Sequence, residues 1–104
     1  MTNLTAENYR EITEHSEQPV LIDFYASWCG PCKALAPIFA SLDEEFGGRC
    51  IFCKADIDEQ EGLAQQFDIL SVPTLIYMNE GEILCRISGL RSREELVEIL
   101  SLAE

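Results

Sequence analysis

Residues 28–32, Trp-Cys-Gly-Pro-Cys, constrain this chain more than any other stretch, because they join an apolar segment to an amphipathic one. The preceding segment, Val20 to Tyr25, is apolar almost throughout, as is typical of a central strand covered on both faces. From Cys32 onward apolar residues recur every three or four positions, which predicts a long helix. The sequence therefore places a Cys-x-x-Cys pair where a strand ends and a helix begins.

The spacing of the two cysteines favours redox chemistry. On a helix, residues three apart have Cβ atoms about 5–6 Å apart, close to the separation that a disulfide requires. A helix N-terminus carries about half a positive charge and has unpaired N–H groups, both of which favour a thiolate. We therefore predict that Cys29 is the nucleophile and that Cys32, one turn into the helix, is the resolving thiol. Pro31 suits the first turn, where its missing N–H costs nothing.

Length, charge and cysteine content narrow the class of protein. The 104 residues predict one domain, and the formal charge of −12 argues against a nucleic-acid partner. No apolar stretch approaches the length of a membrane span, and the N-terminal residues lack the basic and apolar regions of a signal peptide. Five cysteines, an odd number, are untypical of a secreted disulfide scaffold. We therefore expect a cytoplasmic protein, in which a Cys-x-x-Cys pair is catalytic or metal-binding.

The rest of the chain alternates predicted strands and helices, which together indicate an α/β fold with one mixed sheet and helices on both faces. Capping patterns predict helix starts at Thr5, at Asp58 with Glu61, and at Ser92. The strand and turn patterns predict strands at 2–4, 20–25, 50–55, 74–78 and 83–87, with a hairpin turn at 79–81.

Motifs along the whole chain resemble those of the thioredoxin family, in the same order and spacing. They are Asp23-Phe24, residues 28–33, Pro37, Lys54, Asp58, Val72-Pro73-Thr74 and Ser88-Gly89. The resemblance implies a thioredoxin fold over residues 1–104 and a protein-disulfide reductase whose redox disulfide is Cys29–Cys32. It also implies disulfide-containing target proteins, a thioredoxin reductase that is an NADPH-dependent flavoprotein, a monomeric state and no bound cofactor.

The resemblance assigns roles to further residues. It implies a substrate groove that contains Trp28, a cis peptide between Val72 and Pro73, and Gly89. Gly30 and Pro31, between the two cysteines, belong to the same groove, and this dipeptide resembles that of the reducing members of the family.

Asp23 and Lys54 differ in what the sequence itself indicates about them. The neighbours of Asp23 leave no polar face on its strand, so we expect a buried carboxyl with a raised pKa. Such a group can exchange protons near neutral pH, as deprotonation of a resolving thiol requires. The sequence alone predicts an ordinary solvated side chain for Lys54, and only the resemblance places it near Asp23 as a catalytic residue.

A zinc site is the main alternative. Seventeen residues separate the pair Cys29 and Cys32 from a second pair, Cys50 and Cys53, a spacing that fits a four-cysteine zinc site. However, the second pair lies in a predicted strand, where three residues span about 10 Å and the two side chains point to opposite faces. We therefore expect Cys50, Cys53 and Cys85 to be core residues.

Overall fold

The structure is a computed structural model that describes residues 1–103. Its elements follow the alternation that the sequence predicts, and a short 3₁₀ turn, Ser101–Ala103, follows the last helix. In chain order they are β1 Thr2–Asn3, α1 Tyr9–Glu14, β2 Val20–Tyr25, α2 Gly30–Phe46, β3 Ile51–Asp56, α3 Glu61–Gln66, β4 Thr74–Asn79, β5 Glu82–Ser88 and α4 Arg93–Leu100.

The five strands form one mixed sheet in the order β1-β3-β2-β4-β5. Strands β1, β3 and β2 run parallel, whereas β4 is antiparallel to β2 and β5 is antiparallel to β4. The predicted α/β architecture with a single mixed sheet is thus confirmed. Because β2 lies at the centre and pairs with β3 and β4, the position from which the next loop leaves its carboxyl end is fixed on both sides.

Alternate residues of β2 belong to two separate cores. Leu21 packs with Phe39 of α2 and Leu96 of α4 on one face of the sheet. Ile22 lies in the other core, where Leu63 of α3 is buried and α1 contributes partly buried side chains. Helices therefore cover both faces, which explains why β2 is apolar apart from Asp23.

Two helix starts differ from the capping predictions. Helix α3 begins at Glu61 after Gln60, and Asp58 does not cap it. Helix α1 begins at Tyr9, one turn later than predicted. Thr5 nevertheless exchanges hydrogen bonds with Asn8, because each backbone N–H donates to the other residue's side-chain oxygen, at 2.8 and 3.2 Å. The predicted capping pattern at Ser92 is present in full.

The strand predictions need two corrections. Cys50 lies just before β3 rather than within it. In β5 a bulge opposite Tyr77 and Met78 breaks the alternation, so that Cys85 pairs with Tyr77 but Ile83 pairs with Met78. Cys85 is therefore only partly buried against the core, and Ile83 is exposed. Among residues 1–103, no helix is both long and apolar enough to cross a membrane.

Candidate active site

Cys29 and Cys32 form a disulfide at the start of α2, with their Cα atoms 5.3 Å apart. Cys29 is the N-cap residue in an extended conformation, and Pro31 occupies the first helical turn. The backbone N–H of Cys32 donates to the Sγ atom of Cys29 over 3.2 Å. The helix therefore presents one of its unpaired N–H groups to the sulfur at its mouth.

Three segments surround the disulfide. Both cysteines pack with Ala26, and the partly buried side chains of Ile57 and Val72 cover them. The Sγ atom of Cys29 lies 3.7 Å from the carbonyl oxygen of Val72, and the peptide bond from Val72 to Pro73 is cis. The backbone of the segment before β4 thus lies directly against the sulfur of Cys29.

Gly89 borders this segment at the end of β5. Its N–H donates to the carbonyl oxygen of Pro73 over 2.9 Å. Its φ of +89° lies in the left-handed region that favours glycine. The structure thus brings together Cys29, Val72, Pro73 and Gly89, which only the resemblance connected in the sequence.

Trp28 is exposed over 67% of its surface, which is unusual for an aromatic side chain beside a buried cysteine pair. Its indole Nε1 donates to Oδ2 of Asp58 over 2.9 Å. Asp58 lies in a turn, where its own backbone N–H donates to Oδ1 of Asp56 over 2.9 Å. This contact with Trp28 was not foreseen from the sequence, because Asp58 and Glu61 match a capping pattern equally well.

The carboxyl of Asp23 is buried on the α2 side of the sheet, with only 6% of the residue exposed. Its Oδ1 atom has no hydrogen-bond partner among the described residues. Burial raises the pKa of Asp23 to about 7, against a smaller lowering by the positive charge of Lys54. Lys54 is the residue directly opposite Asp23 in the pairing of β2 with β3. The acid expected from the sequence is therefore buried, and it titrates near neutral pH.

A cleft of about 520 Å³ connects this acid with the disulfide. Asp23, Cys32 and Lys54 all line it, and Tyr25 and Phe39 form part of its walls. Cys29 does not line the cleft. The two cysteines therefore differ in their surroundings, since Cys32 shares a cleft with a carboxyl group and Cys29 lies against Val72.

The second cysteine pair is arranged differently. Cys50 and Cys53 belong to the cores on opposite faces of the sheet, and burial raises the pKa of each thiol to about 12. Within residues 1–103, no group of three or more His, Cys, Asp or Glu side chains is placed to hold a metal ion. The arrangement therefore does not favour the zinc alternative.

Comparison with known proteins agrees with this geometry. The model of the thioredoxin family matches residues 1–102. The chain belongs to the thioredoxin family. The thioredoxin of Bacillus subtilis strain 168 is 40% identical to it over 88 residues, which cover 85% of each chain. Thioredoxin C-2 of Corynebacterium nephridii is 34% identical over 100 residues, which cover 96% of this chain and 93% of the relative.

The chain is also similar to a thioredoxin from an animal. Thioredoxin-1 of Caenorhabditis elegans is 42% identical over 78 residues, which cover 75% of this chain and 67% of the relative. Thioredoxins are protein-disulfide oxidoreductases, so this member of the family is a thiol-disulfide reductase, as predicted. Its partners are disulfide-containing proteins and, in general, a thioredoxin reductase.

Proposed function

We propose that Cys29 is the attacking thiol and Cys32 the resolving thiol of this reductase. In the reduced protein, the Cys29 thiolate attacks one sulfur of a target disulfide, and the other target sulfur leaves as a thiolate. The resulting mixed disulfide is then attacked by Cys32, which releases the second target thiolate. The target gains two electrons, and the chain is left with the Cys29–Cys32 disulfide.

The position of Cys29 as N-cap of α2 carries this assignment. Its sulfur accepts the N–H of Cys32 at 3.2 Å, and the same N–H can stabilise the thiolate of the reduced protein. Cys32 lies one turn inside the helix and shares a cleft with Asp23. Only Cys29 combines a charge-stabilising position with contact to the cis Val72–Pro73 segment.

Asp23 acts in this proposal as the base for Cys32. A carboxyl with a pKa of about 7 is partly ionised at neutral pH, so it can accept the thiol proton as Cys32 attacks. When the Cys29–Cys32 disulfide is reduced again, Asp23 returns the proton to the Cys32 thiolate. Lys54 lies opposite Asp23 on the neighbouring strand β3, and its charge keeps the carboxyl from binding its proton too tightly. Lys54 is thus a positioning residue rather than a proton carrier.

The target segment binds in the groove that surrounds Cys29. Trp28 supplies an exposed ring held by Asp58, and Val72, Pro73 and Gly89 supply backbone on the other side. Gly30 and Pro31, both exposed, lie between the two cysteines and complete the floor. In this proposal no side chain blocks the approach at Gly30, where an added Cβ would have no neighbour within 4 Å.

An NADPH-dependent flavoprotein is the proposed source of the returning electrons. It would reduce the Cys29–Cys32 disulfide by the same exchange chemistry run in reverse. We further propose that the protein acts as a monomer in the cytoplasm, where the thiols of Cys50, Cys53 and Cys85 would stay reduced.

Trapping a mixed disulfide tests the order of the two cysteines. Cys32→Ser should form a stable covalent adduct with a disulfide target such as insulin, and mass spectrometry should place the adduct at Cys29. Cys29→Ser is the matched control and should form none, because the remaining thiol of the pair, that of Cys32, is buried one turn inside the helix. An adduct at Cys32 in the Cys29→Ser protein, with none in Cys32→Ser, would reverse the two roles.

A further inference from the structure

A second exposed apolar side chain, besides Trp28, lies in the segment that leads to the cis Val72–Pro73 bond. Leu70 is 97% exposed, the most exposed of the large apolar side chains in the described part of the chain. It precedes Val72 by two residues, so its Cα atom lies within about 7 Å of the Cα atom of Val72, whose carbonyl contacts Cys29. Exposed apolar groups beside an interaction site are a common feature of partner binding. Trp28, which precedes Cys29 in the chain, and Leu70, two residues before Val72, are thus exposed apolar side chains on the two segments that meet at the sulfur of Cys29.

Leu70 is held in its exposed position by the residues on either side of it. The N–H of Ile69 donates to the carbonyl of Ala64 over 2.9 Å, and the side chain of Ile69 packs against a core. The carbonyl of Ser71 accepts the Thr74 hydroxyl over 2.7 Å. Because the backbone on both sides of Leu70 is already held, a partner that covers this side chain need not order the segment that carries it. Leu70 is therefore arranged for contact rather than left exposed by a loose loop.

Negative charge borders the groove next to Trp28. The segment 56–61, which we call the acidic loop, carries four carboxylates in six residues, and those of Asp58, Glu59 and Glu61 are exposed. The loop adjoins the site directly, since Ile57 covers the two cysteines and Asp58 accepts the indole N–H of Trp28. Carboxylates at the border of an interface attract basic partners and disfavour acidic ones.

We propose that Leu70 and the acidic loop select the target segments that this reductase reduces fastest. The preferred occupant is an extended disulfide-bearing segment with an apolar side chain beside the reactive cysteine and a basic side chain further along. Leu70 covers the apolar side chain, and the acidic loop attracts the basic one. This inference rests on the proposed function, because it presumes that targets bind around Cys29.

Four peptides of equal length test the inference. Each carries one cysteine in a disulfide with 2-mercaptoethanol, flanked on both sides by Leu or Gly and then by Lys or Glu. The measurement is kcat/KM for reduction of each peptide, at low and high salt. The wild-type protein should reduce the Leu/Lys peptide fastest and the Gly/Glu peptide slowest, and salt should diminish only the preference for Lys.

Two variants test whether Leu70 causes the preference for Leu and whether the acidic loop causes the preference for Lys. Leu70→Ala should lower the rate for the Leu peptides by about three- to tenfold and leave the Gly peptides unchanged. Glu59→Gln should lower the preference for Lys over Glu by about two- to fivefold. Glu59 suits this purpose better than Asp58, whose carboxylate holds the ring of Trp28. Glu82→Gln, an equal charge change at the far end of β4 and β5, is the matched control and should alter neither preference.

The outcomes separate this inference from the proposed function. An unchanged Leu-to-Gly ratio in Leu70→Ala would overturn the role of Leu70. An effect of Glu82→Gln as large as that of Glu59→Gln would overturn the role of the acidic loop, since net charge alone would then explain the preference. Equal reduction of all four peptides, abolished by Cys29→Ser, would overturn only the selectivity. Reduction that persists in Cys29→Ser would contradict the proposed function itself.

Discussion

The two Cys-x-x-Cys pairs of this chain share one spacing and have different environments. Cys29 and Cys32 lie at the start of a helix, on one side of it, and form a disulfide. Cys50 lies just before β3 and Cys53 lies within it, and their side chains enter opposite cores. A helix brings residues three apart together, whereas a strand turns them away from each other. The secondary structure therefore decides which pair can form a disulfide.

Electrostatics separates the pairs further. The N-terminus of α2 offers the N–H of Cys32 to Cys29, which favours a negative sulfur. Cys50 and Cys53 lie before and within a strand, and burial raises both pKa values to about 12, although a backbone hydrogen bond from Leu21 opposes the shift at Cys50. Those thiols stay protonated at physiological pH and are poor nucleophiles. The comparison shows that a cysteine motif indicates chemistry only together with the element that carries it.

Alanine substitution in each pair should give the largest contrast. Cys29→Ala should reduce insulin disulfides no faster than the uncatalysed background, because no nucleophile remains at the mouth of α2. Cys53→Ala should keep activity within a few-fold of the wild type, because that thiol is enclosed in the core. The check is turnover at equal concentrations of folded protein. Loss of activity in both variants would remove the distinction between the pairs.

Asp23 is a buried acid that shares a cleft with Cys32, so Asp23→Asn sharpens the comparison. The folded state raises the pKa of Asp23 from 3.8 to about 7 and so binds its proton more tightly than the unfolded chain does. Stability therefore falls as pH rises from about 4 to 7, and the full cost is present above the folded pKa. Asp23→Asn should be more stable than the wild type by roughly 3–4 kcal/mol at pH 8.5 and by much less at pH 4.

Denaturant unfolding of both oxidised proteins at the two pH values measures this difference. Asp23→Asn should also release reduced target more slowly, by about a hundredfold at neutral pH, because Cys32 loses its base. An Asn variant no more stable than the wild type at pH 8.5 would mean that Asp23 is solvated in the folded protein. Faster or unchanged release would remove Asp23 from the proposed mechanism.

The smallest effects should come from repacking the strand pair. Replacing Cys50 with Ala and Cys53 with Val changes the buried volume without touching the active site, so we expect a loss of about 1–3 kcal/mol in stability. Reductase activity should stay within a few-fold of the wild type. Thermal unfolding and turnover of the double variant provide the check. Loss of bound zinc together with loss of fold in the double variant would favour the metal site instead.

Local sequence patterns correctly predicted the bounds of a central strand and the start of the last helix. The run Val20–Tyr25, apolar apart from Asp23, predicted the bounds of β2, and the Ser92 capping pattern predicted the start of α4. The bulge in β5 could not be predicted, because it arises from the pairing with Tyr77 and Met78. The position of Lys54 depends likewise on the register between β2 and β3, which no local pattern encodes.

In the candidate site, too, local patterns predict some features and leave others unpredicted. The reactive pair follows from spacing, and the burial of Asp23 follows from its apolar neighbours. The contact between Trp28 and Asp58 joins residues thirty positions apart. The sequence did not predict it, because Asp58 also fits a helix-capping pattern that the structure does not use. The exposure of Leu70 could not be foreseen either, since an isolated leucine in a loop has no periodicity from which burial can be predicted.

The most direct test of the difference between the two pairs is alkylation of the reduced, folded protein with iodoacetamide. Mass spectrometry of the peptides would follow all five cysteines in one sample. We expect Cys29 to be modified first, with Cys50 and Cys53 unmodified until denaturant is added, because only the thiolate reacts. Modification of Cys50 or Cys53 in the folded protein at a rate similar to that of Cys29 would contradict the account.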